Sequence, residues 1–308
     1  MSNVIVCTVA EGKHFEGLPA LVNSLHAAGL RGDVVCGFRG PLPPWVNNLS
    51  KRASRHSERA FDADGIVLSF VELPHEIFPL PVLKPNLMLQ CASNANPQDK
   101  GVIYLDSDIV CNAPWSFLED WSSNELLLVQ DYVFPIVPRG HPWRRAWQDL
   151  ISSCGHEYKD LEVYCLSGCI GIPFQRVDVL KVWIELSEAL ARRTPSGLTF
   201  KGGHRISNPF FGTDQDLLNA ALMVTPGEVS PIDCDFLGFR GSSNMLLHPT
   251  GPKPWEKNIL REFIFRGRPP SRFDMQFFSV PAHPIPHQHR PKRLGAKIIR
   301  GLSRFYKS

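Results

Sequence analysis

The chain has 308 residues, and its 33 basic against 30 acidic residues leave it close to charge balance at +3. That length can bury a full core, and one large α/β domain with an appendage fits it better than two equal domains. Met1-Ser2-Asn3 leads straight into a strand pattern without a basic n-region, no apolar run approaches membrane-spanning length, and the eight cysteines are scattered; a signal sequence, a transmembrane helix, a disulfide framework and a zinc module are therefore not expected, and a reduced, cytoplasmic setting is.

In chain order, Val4 to Val9 read as a buried strand, followed by a helical run from about Phe15 to Ala28 that stops at Gly29. No Gly-x-Gly-x-x-Gly follows the strand, which disfavours a dinucleotide site. Strands are predicted at Asp33 to Phe38 and Ile66 to Glu72, and helices at Trp45 to Arg55 and Pro85 to Asn94. Val102, Ile103, Tyr104 and Leu105 form an apolar run suited to a strand buried on both faces, so Asp106, Ser107 and Asp108 emerge at its carboxyl end. Pro114 opens a helix over Trp115 to Trp121, and Leu126 to Gln130 form a further strand ending at Asp131. Strands alternating with helices imply a single, mainly parallel sheet flanked by helices.

Two carboxylates one residue apart at a strand end suit a hard divalent cation with positions left open for phosphate oxygens. Asp214-Gln215-Asp216 begins a second helix, where the acids also have an ordinary explanation as caps complementing the helix dipole. His248 precedes Gly251, Lys253, Pro254 and Trp255, so acid, amide, imidazole and ammonium groups are all available. Together they point to glycosyl transfer from a nucleotide diphosphate sugar.

Over most of residues 1 to 255, and in the expected order, these stretches resemble glycosyltransferases of the GT-A fold. The resemblance is to the retaining family that includes glycogenin and the bacterial lipopolysaccharide galactosyltransferases (family 8-like). It implies a Rossmann-like sheet, with manganese or magnesium held by Asp106, Asp108 and His248 and a UDP-sugar as donor. By the same resemblance Lys253 and Lys84 approach the donor phosphates, Gly251 and Ser107 belong to the donor-binding loops, and Thr8 and Val9 lie at the nucleobase and ribose. For Lys84 an exposed helix-start lysine, and for Thr8 and Val9 a plain turn after a core strand, are the competing readings. Asp131 and Asp214 correspond to acids that bind the transferred sugar, and Gln215 to the amide on the sugar face where reaction occurs.

Two departures stand out. Pro252 alone separates Gly251 from Lys253 where the family places two residues, a deletion worth up to ~3.5 Å of loop displacement. Leu166 precedes Ser167-Gly168, downstream of Asp160 and Glu162, where the family carries asparagine, which alters a sugar or acceptor contact.

The expected organisation is a nucleotide-sugar-binding catalytic domain over 1–255 and a basic, Pro-rich extension over 256–308. Pro281 to His289 read as a stiff linker whose three histidines lack a fixed metal geometry. Residues 290 to 308 hold seven Lys/Arg and no acid, leaving −4 for the remainder. Leu294, Ile298, Leu302, Phe305 and Tyr306 recur there at helical spacing, which suits either the surface of an anionic membrane or docking on the chain itself. The expected partners are a nucleotide-sugar donor, a glycan or lipid-linked acceptor and an anionic membrane surface; nucleic acid is not expected. Two alternatives are a catalytically silent carbohydrate-binding or scaffolding protein on the same fold and a sugar nucleotidylyltransferase. The latter would need a Gly-rich signature that Ala10 to Lys13 do not supply.

Overall fold

The computed structural model describes residues 2–74, 78–194, 198, 204, 205, 207–243, 245–286, 295 and 298. In chain order the strands are β1 (Val4–Glu11), β2 (Asp33–Arg39), β3 (Ala60–Ala63), β4 (Ile66–Glu72), β5 (Gly101–Leu105), β6 (Val110–Cys111), β7 (Leu127–Gln130), β8 (Cys165–Pro173) and β9 (Leu246–Leu247). The helices are α1 (Leu18–Ala27), α2 (Lys84–Ser93), α3 (Trp115–Asn124), α4 (Pro142–Ser153), α5 (Asp178–Arg193), α6 (Asp214–Val224), α7 (Ile259–Arg266) and α8 (Arg272–Ser279).

Seven strands form one sheet in the order β3-β4-β2-β1-β5-β8-β7. The β1–β2, β2–β4 and β1–β5 pairs are parallel, while β3 runs against β4 and β8 runs against both β5 and β7. The mainly parallel sheet is present, with two reversed strands. Period-two alternation explains the unbroken apolar runs: Ile5, Cys7, Val9, Val102 and Tyr104 face a core shared with α2, α4, α5 and α6, and Val4, Val6, Ile103 and Leu105 face a core shared with α1 and α3. Both faces of β1 and β5 are therefore dry, and polar chemistry is confined to their carboxyl ends.

Three expectations change. The helix over Trp45 to Arg55 is only a 3₁₀ turn, Pro44–Asn48. Beyond it the chain pairs with β3, Arg52 N–H donating to Ala60 (2.9 Å) and Asp62 N–H to Ser50 (2.8 Å), so sheet pairing at the edge wins over local helical spacing. The first helix is broken at Gly17, with a 3₁₀ turn before it and α1 after it. A Cβ on Gly17 would lie 2.5 Å from the Ser107 carbonyl oxygen, so the break lets the helix start pass close under the Asp106–Asp108 loop.

The stiff-linker reading fails over residues 281–286. Ile285 is fully buried, and the Asn23 side chain on α1 donates to Pro281 O (2.9 Å) and Ile285 O (2.7 Å) while accepting from Ile285 N–H (2.8 Å). Phe277, Phe278 and Val280 pack with Trp255, Val110 and Leu247. Ile285, between two prolines, buries, which proline spacing alone did not disclose. The three histidines of that stretch and the basic tail fall mostly outside the described residues, apart from His283, Gly295 and an exposed, helical Ile298.

Candidate active site

The carboxyl ends of β1 and β5 open into a cavity of about 800 Å³. Of the residues expected to form the site, Val9, Lys84, Asp106, Ser107, Asp108, Asp131, Asp214, Gln215, His248, Gly251 and Lys253 all line it. Thr8 does not: it points to the opposite face of β1, fully buried, with its hydroxyl unpartnered. Asp160 lies on the surface in an ion pair with Arg139.

His248 reaches the acidic pair through a short antiparallel ribbon. β6 begins two residues after Asp108 and β9 ends one residue before His248, with Val110 opposite Leu247. His248 Nε2 then lies 3.6 Å from Asp106 Oδ2 and 3.3 Å from Asp108 Oδ1. One ligand atom from each of the three residues falls within 4.8 Å of the others. Two carboxylates and an imidazole fit a six-coordinate manganese or magnesium ion with positions to spare.

Gly168 on β8 makes the arrangement sterically feasible. A Cβ there would stand 2.8 Å from Asp106 Oδ2 and 3.2 Å from His248 Cε1. Lys253 pairs with Asp108 Oδ2, joining the loop after His248 to the same acid. Gly251, just before it, has a left-handed φ of 76° and open space around it.

Lys84 is almost completely buried. Its ammonium is 2.8 Å from Asp214 Oδ2, 3.3 Å from Asp106 Oδ1, 3.1 Å from the Ser167 carbonyl and 4.7 Å from the Tyr104 ring centre. Burial pulls its pKa down, but Asp106 and Asp214 outweigh burial and the net shift is upward. An exposed helix-start lysine is thereby excluded. Burial opposes ionisation of Asp106 and Asp108 too. It is overcome at Asp106 chiefly by Lys84 and His248, and at Asp108 by His248 and Lys253, so both carboxyls lie below their ordinary range.

Asp214, at the first position of α6, spends its Oδ2 on Lys84 and on the Ser167 hydroxyl (2.7 Å) instead of capping the helix. The acid nearest a capping role is Asp216, which accepts from Gly212 N–H at 2.7 Å and from Tyr164 OH. Asp131 accepts from Val133 and Phe134 N–H through Oδ1 (2.7 Å each) and from Gln215 Nε2 through Oδ2 (2.9 Å). With its Nε2 donating to Asp131 Oδ2, the Gln215 amide keeps Oε1 uncommitted.

Several residues at the site escaped the sequence reading. Tyr104 donates to Asp106 Oδ1 at 2.8 Å; burial and that carboxylate push its hydroxyl well above its ordinary pKa. Its period-two relation to Asp106 along β5 was a usable signal. Arg205 stands on the cavity wall 4.5 Å from the Trp143 ring centre and 5.3 Å from that of Phe134, and donates to Tyr164 OH at 3.0 Å. Tyr132 and Phe239 stack at 4.5 Å on the same wall. Nothing local in sequence marks these loop residues.

No family model and no curated protein matches the chain. Among solved structures, the galactosyltransferase LgtC in complex with donor and acceptor sugar analogs aligns over 93% of this chain and 99% of its own, at 17% identity and a TM-score of 0.50. The fold is of the GT-A type. The bifunctional glycosyltransferase WbbM (16% identity, TM-score 0.47) matches 96% of this chain, and GlyE of Streptococcus pneumoniae TIGR4 (13%, 0.46) matches 82%. The chain spans about half the length of these two, 52% and 56%.

Proposed function

We propose that this protein is a divalent-metal-dependent glycosyltransferase that moves a hexose from a nucleotide diphosphate sugar, a UDP-sugar in the first instance, to a glycan or lipid-linked acceptor with retention of configuration. The observation that carries the proposal is the convergence of Asp106, Asp108 and His248 from β5 and β9 at the floor of the cavity, with Lys253, Asp214 and Gln215 around them. Manganese or magnesium at that triad would supply Lewis-acid stabilisation of the departing diphosphate.

The remaining chemistry belongs to the chain. Lys253 is the ammonium placed to share the charge that develops on the leaving diphosphate. Val9, on the cavity side of β1, is assigned to the nucleoside end, with Ser107 and Gly251 on the loops that border the donor. Lys84 acts as a positioning residue: its contacts to Asp106, Asp214 and Ser167 hold the two acids in place and leave it little capacity for phosphate. Asp131 orients the Gln215 amide so that Oε1, a neutral acceptor, is available to a sugar with oxocarbenium character. Asp214, held through Oδ2, keeps a second oxygen for sugar hydroxyls. Leu166, in place of a family asparagine, removes an amide from this wall, consistent with a sugar or acceptor contact of its own.

The basic tail supports a peripheral position on an anionic membrane surface, in keeping with a lipid-linked acceptor. Among the described residues no helix is long and apolar enough to cross a membrane. Donor consumption tests the reading. Cleavage of UDP-hexoses, screened individually, should require manganese or magnesium, and Gln215→Ala should depress turnover by more than about 10-fold with nucleotide affinity retained. Absence of cleavage with every donor, cation and acceptor would favour the silent binding protein.

A further inference from the structure

A second set of metal-ligating side chains stands outside the cavity. His26 lies in the last turn of α1, Asp64 in the turn between β3 and β4, and His283 in the segment after α8. Their ligand atoms fall within 4.8 Å of one another. The Nε2 atoms of His26 and His283 approach one and the same oxygen, Asp64 Oδ2, at 3.0 and 2.9 Å, and the two rings meet edge to face at 5.3 Å.

Each ligand is held by its surroundings. Asp64 and Gly65 are the two residues of a hairpin turn, with φ of 51° and 87°; two positive φ values are what a type I′ turn requires, so the carboxylate is presented by a defined backbone. His283 lies between Pro281 and Ile285, both fastened to the Asn23 side chain, and Asn23 is one turn before His26 on α1. The sequence around His283 gave no fixed geometry; Asn23 and the burial of Ile285 provide it. The nearby Arg31 guanidinium is turned toward the carbonyls of His26 and Leu30.

Hydrogen bonding alone accounts poorly for this cluster. His283 is well placed to bond Asp64, whereas His26 Nε2, buried and 3.0 Å from the same carboxylate oxygen, is poorly aligned for a hydrogen bond to it. A buried ring nitrogen aimed at an acid and an imidazole has the character of a ligand.

We propose that His26, Asp64 and His283 form a second metal site, for a late first-row cation of the zinc type, that clamps the C-terminal segment to α1 and the β3–β4 turn. Two imidazoles and one carboxylate make a nitrogen-rich set suited to four-coordinate zinc with water in the last position. The cavity triad, with two carboxylates and one imidazole, is the harder set. The two sites therefore divide cations by chemistry.

Cobalt(II), a spectroscopic stand-in for zinc, tests the site in the full chain carrying Asp108→Asn, which disables the cavity triad. This variant should take up one cobalt ion per chain with the strong visible absorption of four-coordinate cobalt, and zinc should displace it. Adding His283→Ala should weaken cobalt affinity by more than the roughly 10- to 100-fold that loss of a mere outer-shell partner costs. His283 is exposed, so its replacement does not endanger folding, and an unchanged circular dichroism spectrum checks this. Failure of Asp108→Asn to bind cobalt, or binding that His283→Ala leaves unchanged, would overturn the proposal.

Discussion

At the scale of single residues, the buried charges set the strongest constraints. Lys84 neutralises Asp106 and Asp214 together, so Lys84→Met should leave the buried Asp214 carboxylate without its ion-pair partner and Asp106 with His248 alone, and cost about 3–5 kcal/mol in urea unfolding. Adding Asp214→Asn should recover part of that loss; no recovery would mean that Lys84 stabilises by packing alone. Asp216 carries a different signature. Burial drives its carboxyl up to about 7, against Arg205, Tyr164 and the Gly212 N–H, which favour the ion. Because that value lies above the unfolded one of ~3.9, the native state keeps a proton that the unfolded chain has already released. Stability from this group is therefore full below about pH 4, declines as pH rises toward 7 and is flat beyond it. Melting temperatures at pH 5 and pH 8 should differ less for Asp216→Asn than for the parent chain, and equal differences would contradict the assignment.

At the scale of elements, what could be read from sequence depended on whether an element's burial left a periodic trace. β1, β5, α2 and α3 were legible because both faces of the strands, or one stripe of the helices, are apolar. Asp106 and Asp108 were legible because they end such a strand. The Pro44–Asn48 turn was not, because Trp45 and Val46 bury as neighbours in sequence while the backbone beyond joins β3. The partners of the acids were hidden for a related reason: Lys84, Ser167 and Tyr164 reach Asp106, Asp214 and Asp216 across the fold, and sequence spacing carries no record of such contacts. The close approach of β8 to β5 adds a test. Gly168→Ala places a methyl 2.8 Å from Asp106 Oδ2, so manganese affinity should fall by roughly 10-fold or more while the chain stays folded. Unaltered affinity would show that Asp106 does not hold the cation from its present position.

At the scale of the whole molecule, the segment following Trp255 is part of the packing. Truncation there removes Ile259, Phe277, Phe278, Val280 and Ile285, five buried apolar side chains worth about 1.5–3 kcal/mol each, a total comparable with the net stability of an average domain. It also strips the buried Asn23 side chain of three hydrogen bonds. That truncation should unfold the chain or leave it molten by near-UV circular dichroism. Removal of residues 290–308 should preserve the melting transition and abolish binding to anionic vesicles. A stable chain ending at Trp255, or vesicle binding that survives loss of the tail, would refute the corresponding half of this picture.

The central claim is that Asp106, Asp108 and His248 together hold a cation that receives a nucleoside diphosphate. Calorimetric titration of UDP into the protein, with and without manganese, tests it most directly, because it needs neither the acceptor nor the transferred sugar. The account predicts manganese-dependent binding by the parent chain that Asp108→Asn loses while remaining folded. UDP binding of equal strength with and without manganese, or equal strength in Asp108→Asn, would contradict it.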